Sequence, residues 1–272
     1  MTTPFRGETV QPCPTMTPMP ERAAASRPVG PSSWGIPDPV GANADAGGVV
    51  GFGADLKPAT LVDAYRRGIF PWPHPGVALP WFSPDPRAVL PLDGLVVSRS
   101  LRQRLRRCGW QTTVNGAFEA VVSACAAGPA GEGTWIGDDM RRAYVRLWQL
   151  GWAHSVEVWD GPELLGGLYG VAIGGCFTGE SMFHRATDAS KVAVVDLVDR
   201  WQEAGGALID VQLPTAHLAR LGAVELRREE FLSRLAAVRD APTPVCLDRL
   251  PVSRLAQAGP KSGGPERPRF SS

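Results

Sequence analysis

Lysine is nearly missing from this chain. Of 28 basic residues only Lys57, Lys191 and Lys261 are lysine, and the other 25 are arginine. The net charge is +1, which excludes a protein that binds polyanions over its whole surface. Arginine suits bidentate phosphate contacts better than lysine does, although a GC-rich genome produces the same bias. Cysteine is also scarce: Cys13, Cys108, Cys125, Cys176 and Cys246 are odd in number and widely spaced. No CxxC pair exists and the four histidines are scattered, so no metal site and no disulfide framework is indicated. A reduced, cytoplasmic protein is expected. No apolar run approaches the roughly 18 residues of a membrane span, and no segment near residue 1 has the apolar length of a signal peptide.

What is present is enough apolar material for a sizeable core, 44% of 272 residues. Residues 1–30 are rich in Pro, Thr, Ala and Arg without hydrophobic period and are expected to be disordered. From 241 the composition turns again to Pro, Gly, Ser and Arg, so 241–272 is expected to be a flexible tail.

Between these ends, Pro58 and Gly68 bracket a short helix. Phe70-Pro71-Trp72 and Leu79-Pro80-Trp81 are expected to be rigid loops carrying aromatic faces, because proline is excluded from sheet interiors. Ser98 to Arg107 has Leu101 and Leu105 at helical spacing. His154 to Trp159 alternates, and Asp160-Gly161 signals a hairpin whose return strand runs from Glu163. A third strand is expected over 175–183. A helix capped by Thr187 or Asp188 follows over 190–203, and a strand over 207–213 closes the unit. This order predicts an α+β fold with a mixed, mostly antiparallel sheet.

Two carboxylates interrupt apolar strands. Glu180 lies in Gly179-Glu180-Ser181-Met182-Phe183 and Asp210 in Leu208-Ile209-Asp210-Val211-Gln212. A charge in a buried strand is costly unless paired, so each needs a reason. Alternation puts Asp210 and Gln212 on one face, roughly 7 Å apart. A carboxylate beside an amide, with a second carboxylate nearby, suits the orientation of an amine for attack on a carbonyl. The second charged feature is Arg99, Arg102, Arg104, Arg106 and Arg107, five arginines in ten residues with no acid. Exposed faces normally mix signs, so the run points to nucleic acid, with a solvated helix face as the plainer reading.

Taken together, Phe70-Pro71-Trp72, the run Trp81 to Leu90, Gly133-Thr134-Trp135-Ile136, Gly166-Gly167-Leu168-Tyr169-Gly170, Gly179 to Phe183, Ala189-Ser190-Lys191, Leu208-Ile209-Asp210 with Gln212, and Leu221-Gly222-Ala223 resemble the leucyl/phenylalanyl-tRNA–protein transferase family. The resemblance covers about residues 31–240. It implies a small N-terminal domain over 31–84 and an acetyltransferase-like (GNAT-like) catalytic domain over 85–240. It implies transfer of Leu or Phe, secondarily Met, from aminoacyl-tRNA to proteins with N-terminal Arg or Lys, marking them for degradation, with no cofactor and no metal.

Carried over by position, the resemblance makes Asp210, Gln212 and Glu180 catalytic. Asp210 would orient the amine, Gln212 would bond the amine or the oxyanion, and Glu180 would hold the amino acid or the cationic acceptor residue. Leu168, Phe177, Met182, Val194, Leu197, Trp201 and Ile209 would line the aminoacyl pocket. Trp135 and Trp72 would meet the terminal adenosine, and the arginine run would meet tRNA phosphates. The chain departs from the family's usual pattern at Ala54, His184, Val211 and Pro129-Ala130-Gly131-Glu132.

Two other classes compete. An acetyl-CoA-dependent N-acetyltransferase needs a glycine-rich turn cradling the pyrophosphate, whereas His184-Arg185-Ala186-Thr187-Asp188 holds no glycine. A non-catalytic RNA-binding module would use the arginine face and leave Glu180, Asp210 and Gln212 without a purpose.

Overall fold

A computed structural model describes residues 22–41, 47–128 and 134–258. The expected disorder of 1–21, the departure at 129–132, Gly133 and the tail from 259 lie outside the described residues. The elements in chain order are β1 (Val49–Phe52), α1 (Pro58–Arg66), β2 (Phe70–Pro71), β3 (Pro80–Phe82), β4 (Arg87–Leu90), α2 (Arg99–Arg107), β5 (Gln111–Val114), α3 (Phe118–Ala127) and α4 (Asp138–Gln149). Then come β6 (Ala153–Asp160), β7 (Glu163–Ile173), β8 (Cys176–His184), α5 (Ala189–Glu203), β9 (Leu208–Gln212), α6 (Ala216–Arg220), β10 (Val224–Leu226), α7 (Arg228–Val238) and β11 (Leu250–Pro251).

Eight strands form one sheet in the order β10-β4-β9-β8-β7-β6-β5-β11. Every neighbouring pair in it is antiparallel except β8 and β9. A parallel pair needs a crossover, and α5 supplies it. The α+β class and the mostly antiparallel sheet are those expected from the order of elements. Strand alternation separates two cores. Leu168 and Phe177 face α2 and α5, joining Leu101, Leu105, Val194, Leu197 and Trp201. Tyr169, Val171 and Ile173 face the opposite layer of α1, α3 and α4. Covering the β9 end of the sheet, α7 packs Phe231 and Leu235 on Val89 and Leu208.

The N-terminal segment makes its own three-stranded sheet, β1-β3-β2, but not its own core. Leu61, Tyr65, Phe70 and Trp81 share one buried cluster with Phe118, Tyr144 and Tyr169.

Four local expectations are corrected. The Pro-Trp segments are strands rather than loops. Pro80 takes the first position of β3 and Pro71 lies on the edge strand β2, the places where a missing N–H is tolerated. Residues 22–30 are threaded along the body: Ala23 N donates to Val245 O (2.7 Å) and Trp152 Nε1 donates to Arg27 O (2.8 Å). The chain from 241 to 258 is part of the fold. Val252, Leu255 and Ala256 of a 3₁₀ turn enter the α2–α5 core. Buried Arg200 donates to the carbonyls of Cys246 and Asp248 (2.8 and 2.9 Å), while Arg254 pairs with buried Asp196. Composition hid this because a few scattered apolar residues, Val245 and those of the single turn, carry the contact. Finally, Asp188 holds the cap position of α5 at φ +72° without a capping bond from its side chain; its carboxylate pairs with Lys191 and Arg104 instead.

Candidate active site

The parallel ladder between β8 and β9 is short. It pairs Cys176 with Leu208, Phe177 with Ile209 and Thr178 with Asp210, and then stops. Beyond it β8 continues along β7 to His184, and β9 continues along β4 to Gln212. The two strands therefore part at their carboxyl ends.

At that point β8 carries a bulge. Tyr169 pairs with Ser181 and Gly170 with Gly179, which leaves Glu180 as the extra residue. A bulge re-aims a side chain out of the regular alternation. Gly170 is required beside it, since a Cβ there would lie 2.2 Å from Thr178 O.

Glu180 is 8% exposed. Its Oε2 accepts from Tyr144 Oη (2.6 Å), which in turn meets Tyr65 Oη (3.0 Å), and its Oε1 accepts from Gln212 Nε2 (2.9 Å). Burial is the largest influence on Glu180 and moves its pKa up to about 7, against the tyrosine bonds that favour the charged form. The chain has only three tyrosines, and Tyr65, Tyr144 and Tyr169 all lie within the influence of Glu180. Burial first, and then the Glu180 charge, hold all three well above the ordinary tyrosine pKa. All three stay protonated, and Tyr144 remains the donor to the carboxylate.

Asp210 sits behind this layer and is fully buried. Arg87 on β4 grips it with Nε to Oδ1 at 2.8 Å and Nη2 to Oδ2 at 2.6 Å. Thr178 Oγ1 adds a bond of 3.2 Å, and the backbone N of Gln212 donates to Oδ1 at 2.9 Å. The guanidinium lies between the rings of Phe70 and Phe231, at 4.9 and 4.5 Å, and also donates to Gly68 O. Gln212 adopts φ +65°, a left-handed conformation that a residue with a side chain takes only when its surroundings hold it there.

Asp210 and Gln212 therefore do not present a shared surface, as simple alternation predicts. Asp210 fixes the backbone of Gln212, and Gln212 carries its amide to Glu180.

A small cavity of about 80 Å³ opens onto this pair, lined by Phe70, Pro71, Trp72, Trp135, Glu180, Gln212 and Leu213. Trp72 and Trp135, expected to meet adenosine, are both there and half-buried. Trp135 also borders a wider cleft of about 800 Å³ whose walls include Lys57, His74, Asp138 and Arg146.

The seven residues expected to line an aminoacyl pocket lie together on the other face of the sheet. Leu168, Phe177, Val194, Leu197, Trp201 and Ile209 are buried in one cluster, with half-buried Met182 against it. Phe177 and Trp201 meet edge to face at 5.5 Å.

The arginine run divides. Arg102 donates to Ala256 O and Arg104 pairs with Asp188 while lying over the Trp110 ring, so both serve the fold. Arg99, Arg106 and Arg107 are exposed.

Sequence reasoning missed Arg87, Tyr144, Tyr65 and Thr178. Arg87 was detectable by the logic that flagged Asp210, since it opens the apolar run Ala88-Val89-Leu90. The tyrosines carry no local signal beyond their scarcity.

A family model described as Leucyl/phenylalanyl-tRNA protein transferase matches residues 89–236, and one described as that protein's N-terminal domain matches residues 54–85. A leucyl/phenylalanyl-tRNA–protein transferase of Yersinia enterocolitica is 49% identical over 212 residues, 78% of this chain and 89% of that protein. One from Edwardsiella ictaluri is 51% identical over 207 residues, 76% of this chain and 85% of that protein. Among solved structures, L-PGS from Bacillus licheniformis aligns at TM-score 0.37 and 13% identity over 56% of this chain and 50% of that one, too slight a likeness to carry an argument.

Proposed function

Because the chain belongs to the leucyl/phenylalanyl-tRNA–protein transferase family, we propose that it moves leucine or phenylalanine, and methionine less well, from aminoacyl-tRNA to the α-amine of proteins beginning with Arg or Lys. The product is a new N-terminus that marks the protein for degradation in the cytoplasm. The observation that carries this reading is the Glu180–Gln212 pair at the parting of β8 and β9, facing a cavity walled by Trp72 and Trp135.

The reaction is aminolysis of an ester. The amine nitrogen attacks the aminoacyl carbonyl, a C–N bond forms, the C–O bond to the ribose breaks, and the proton lost by the amine is passed on to the departing ribose oxygen. An α-amine has a pKa of about 7.7–8.0, so part of it is neutral near pH 7. Glu180, with its pKa near 7, is matched to taking up that proton. Gln212 holds the amine or the oxyanion by its amide, and Asp210 acts through Gln212 rather than on substrate. The wider cleft beyond Trp135 gives the acceptor polypeptide room to enter. Receiving the side chain of the transferred residue requires the buried apolar cluster from Leu168 to Ile209 to open at half-buried Met182. Such a pocket discriminates by only about 1–3 kcal/mol per methylene, which is why Met remains a secondary donor.

One observation bears on the acetyl-CoA alternative. In the turn from β8 to α5, the N–H groups of Arg185 and Ala186 donate to Leu165 O, and that of Ala189 to Ala186 O. These amides are already engaged within the protein, whereas a pyrophosphate cradle needs them free.

The deciding experiment mixes aminoacyl-tRNA with an Arg-headed peptide and no CoA. Transfer of the amino acid supports the proposal. Acetylation that appears only when acetyl-CoA is added replaces it, and tRNA binding without any transfer leaves an RNA-binding module.

A further inference from the structure

The two features assigned to tRNA lie on opposite faces of the sheet. Helix α2, which carries Arg99, Arg106 and Arg107, packs through Leu101 and Leu105 into the α5 layer. Trp72 and Trp135 pack against the opposite layer. The parting between β8 and β9, where their ladder stops after Thr178 and Asp210, is the gap between the two faces that lies beside the Glu180–Gln212 pair.

Basic side chains flank that passage on the α5 side. His184 ends β8 and is exposed. It is four residues beyond Glu180, roughly 13 Å along the strand. Lys191 lies in the first turn of α5, and His217 and exposed Arg220 stand on α6, directly after β9. His217 lies close enough to Lys191, Arg220 and His184 that their charges, after burial, hold its imidazole below the ordinary histidine range. Asp188 is the acid among them. It ties Lys191 (2.7 Å) to Arg104 of α2 (3.0 Å), so the rim is joined to the arginine helix. Arg185 is turned away, donating to Leu164 O and lying over Phe183.

We propose that Lys191 and Arg220, with His184 and His217 beside them, form a second nucleic-acid contact that receives a backbone phosphate of the single-stranded tRNA 3′ end as it passes between β8 and β9. This inference rests on the transferase reading above. The contact is separate from the α2 arginines, which meet phosphates farther from the ester. Its chemistry is charge-assisted hydrogen bonding to a phosphodiester, with Asp188 holding the ammonium of Lys191 in place.

The test uses three donors of the same amino acid: full aminoacyl-tRNA, an aminoacyl-CCA trinucleotide, and aminoacyl-adenosine, which has no internucleotide phosphate. In the Lys191→Gln/Arg220→Gln variant, the ratio of kcat/KM for the trinucleotide to that for the adenosine donor falls about tenfold. The salt slope for the trinucleotide becomes shallower by about 0.7 for each phosphate no longer held. Lys191→Arg/Arg220→Lys, which keeps both charges, restores most of the ratio. Neutralising Arg99 and Arg106 instead lowers the ratio of tRNA to trinucleotide. An unchanged trinucleotide-to-adenosine ratio in the Gln variant, whether because neither donor suffers or because both fall alike, overturns the inference while leaving the transferase reading intact. Failure of the native protein with all three donors overturns that reading and the inference with it.

Discussion

Arg87 and Asp210 are 123 residues apart in sequence and joined by two parallel hydrogen bonds with neither side chain exposed to water. The pair lies directly behind Glu180 and Gln212, and its hydrogen bond to Gln212 N sets the backbone from which the Gln212 amide reaches Glu180. Removing one partner leaves the other charged and buried, at a cost of about 3–5 kcal/mol. Arg87→Ala is therefore expected to lower the midpoint of urea unfolding strongly. Arg87→Lys also falls short, because an ammonium cannot reproduce the forked contact. A normal midpoint for both variants would remove the pair from the support of the site.

Gln212→Ala is expected to cut kcat by about 10² or more while the protein stays folded, the size of loss typical of a preorganised catalytic hydrogen bond. The Asp210→Asn variant should lose activity together with stability, since its carboxylate serves Arg87 and the Gln212 backbone. Equal kinetic loss with no loss of stability in Asp210→Asn would return Asp210 to direct contact with the amine.

The pH profile should carry Glu180. Its proton-accepting form appears as pH rises through about 7, so single-turnover transfer climbs there and again as the acceptor amine deprotonates. Glu180→Gln should lose the lower limb and keep the upper one. The same shift has a stability sign. The folded state holds this proton more tightly than the unfolded chain, so the contribution is complete below the ordinary carboxyl value of 4.5 and is lost as pH rises through about 7. Between pH 5 and pH 8 the native protein should therefore lose more in its urea midpoint than Glu180→Gln does. Parallel curves for the two proteins would refute the shift.

The divided arginine run separates two phenotypes. Replacing Arg99, Arg106 and Arg107 with Gln should raise KM for aminoacyl-tRNA and flatten its salt dependence by about 0.7–0.9 for each phosphate no longer neutralised. Arg102→Ala should instead free the turn at Ala256 and lower thermal stability, because its guanidinium donates to that carbonyl. Salt titration of KM beside a melting curve distinguishes them; a reversed pattern would exchange their roles.

Ala54 lies at φ +63°, where a Cβ is crowded and glycine is not. Ala54→Gly is expected to stabilise the protein by roughly 0.5–1 kcal/mol, read as a higher urea midpoint with an unchanged slope. A drop in the midpoint would mean that the residue's packing outweighs its backbone conformation.

By itself the sequence determined whatever depends on neighbours along the chain. Pro58 and Gly68 bounded α1, the Asp160-Gly161 signal marked the β6–β7 turn, and Leu101 with Leu105 set the buried side of α2. It also exposed Glu180 and Asp210 as charges in strands that bury both faces. Only the tertiary structure decided what those charges do. The bulge that turns Glu180 out of alternation exists only as a mismatch of register with β7. Arg87 becomes the partner of Asp210 only when β4 pairs with β9. The three tyrosines come from α1, α4 and β7, and no periodicity within any one of them points to Glu180. The chain after 240 reads as a tail because its apolar residues are too few to form a core alone, yet they complete one that α2 and α5 have already built. Local propensity is set by residues within a turn or two. A buried carboxylate is tuned by desolvation and by donors brought from distant strands and helices, and those exist only once the chain has folded.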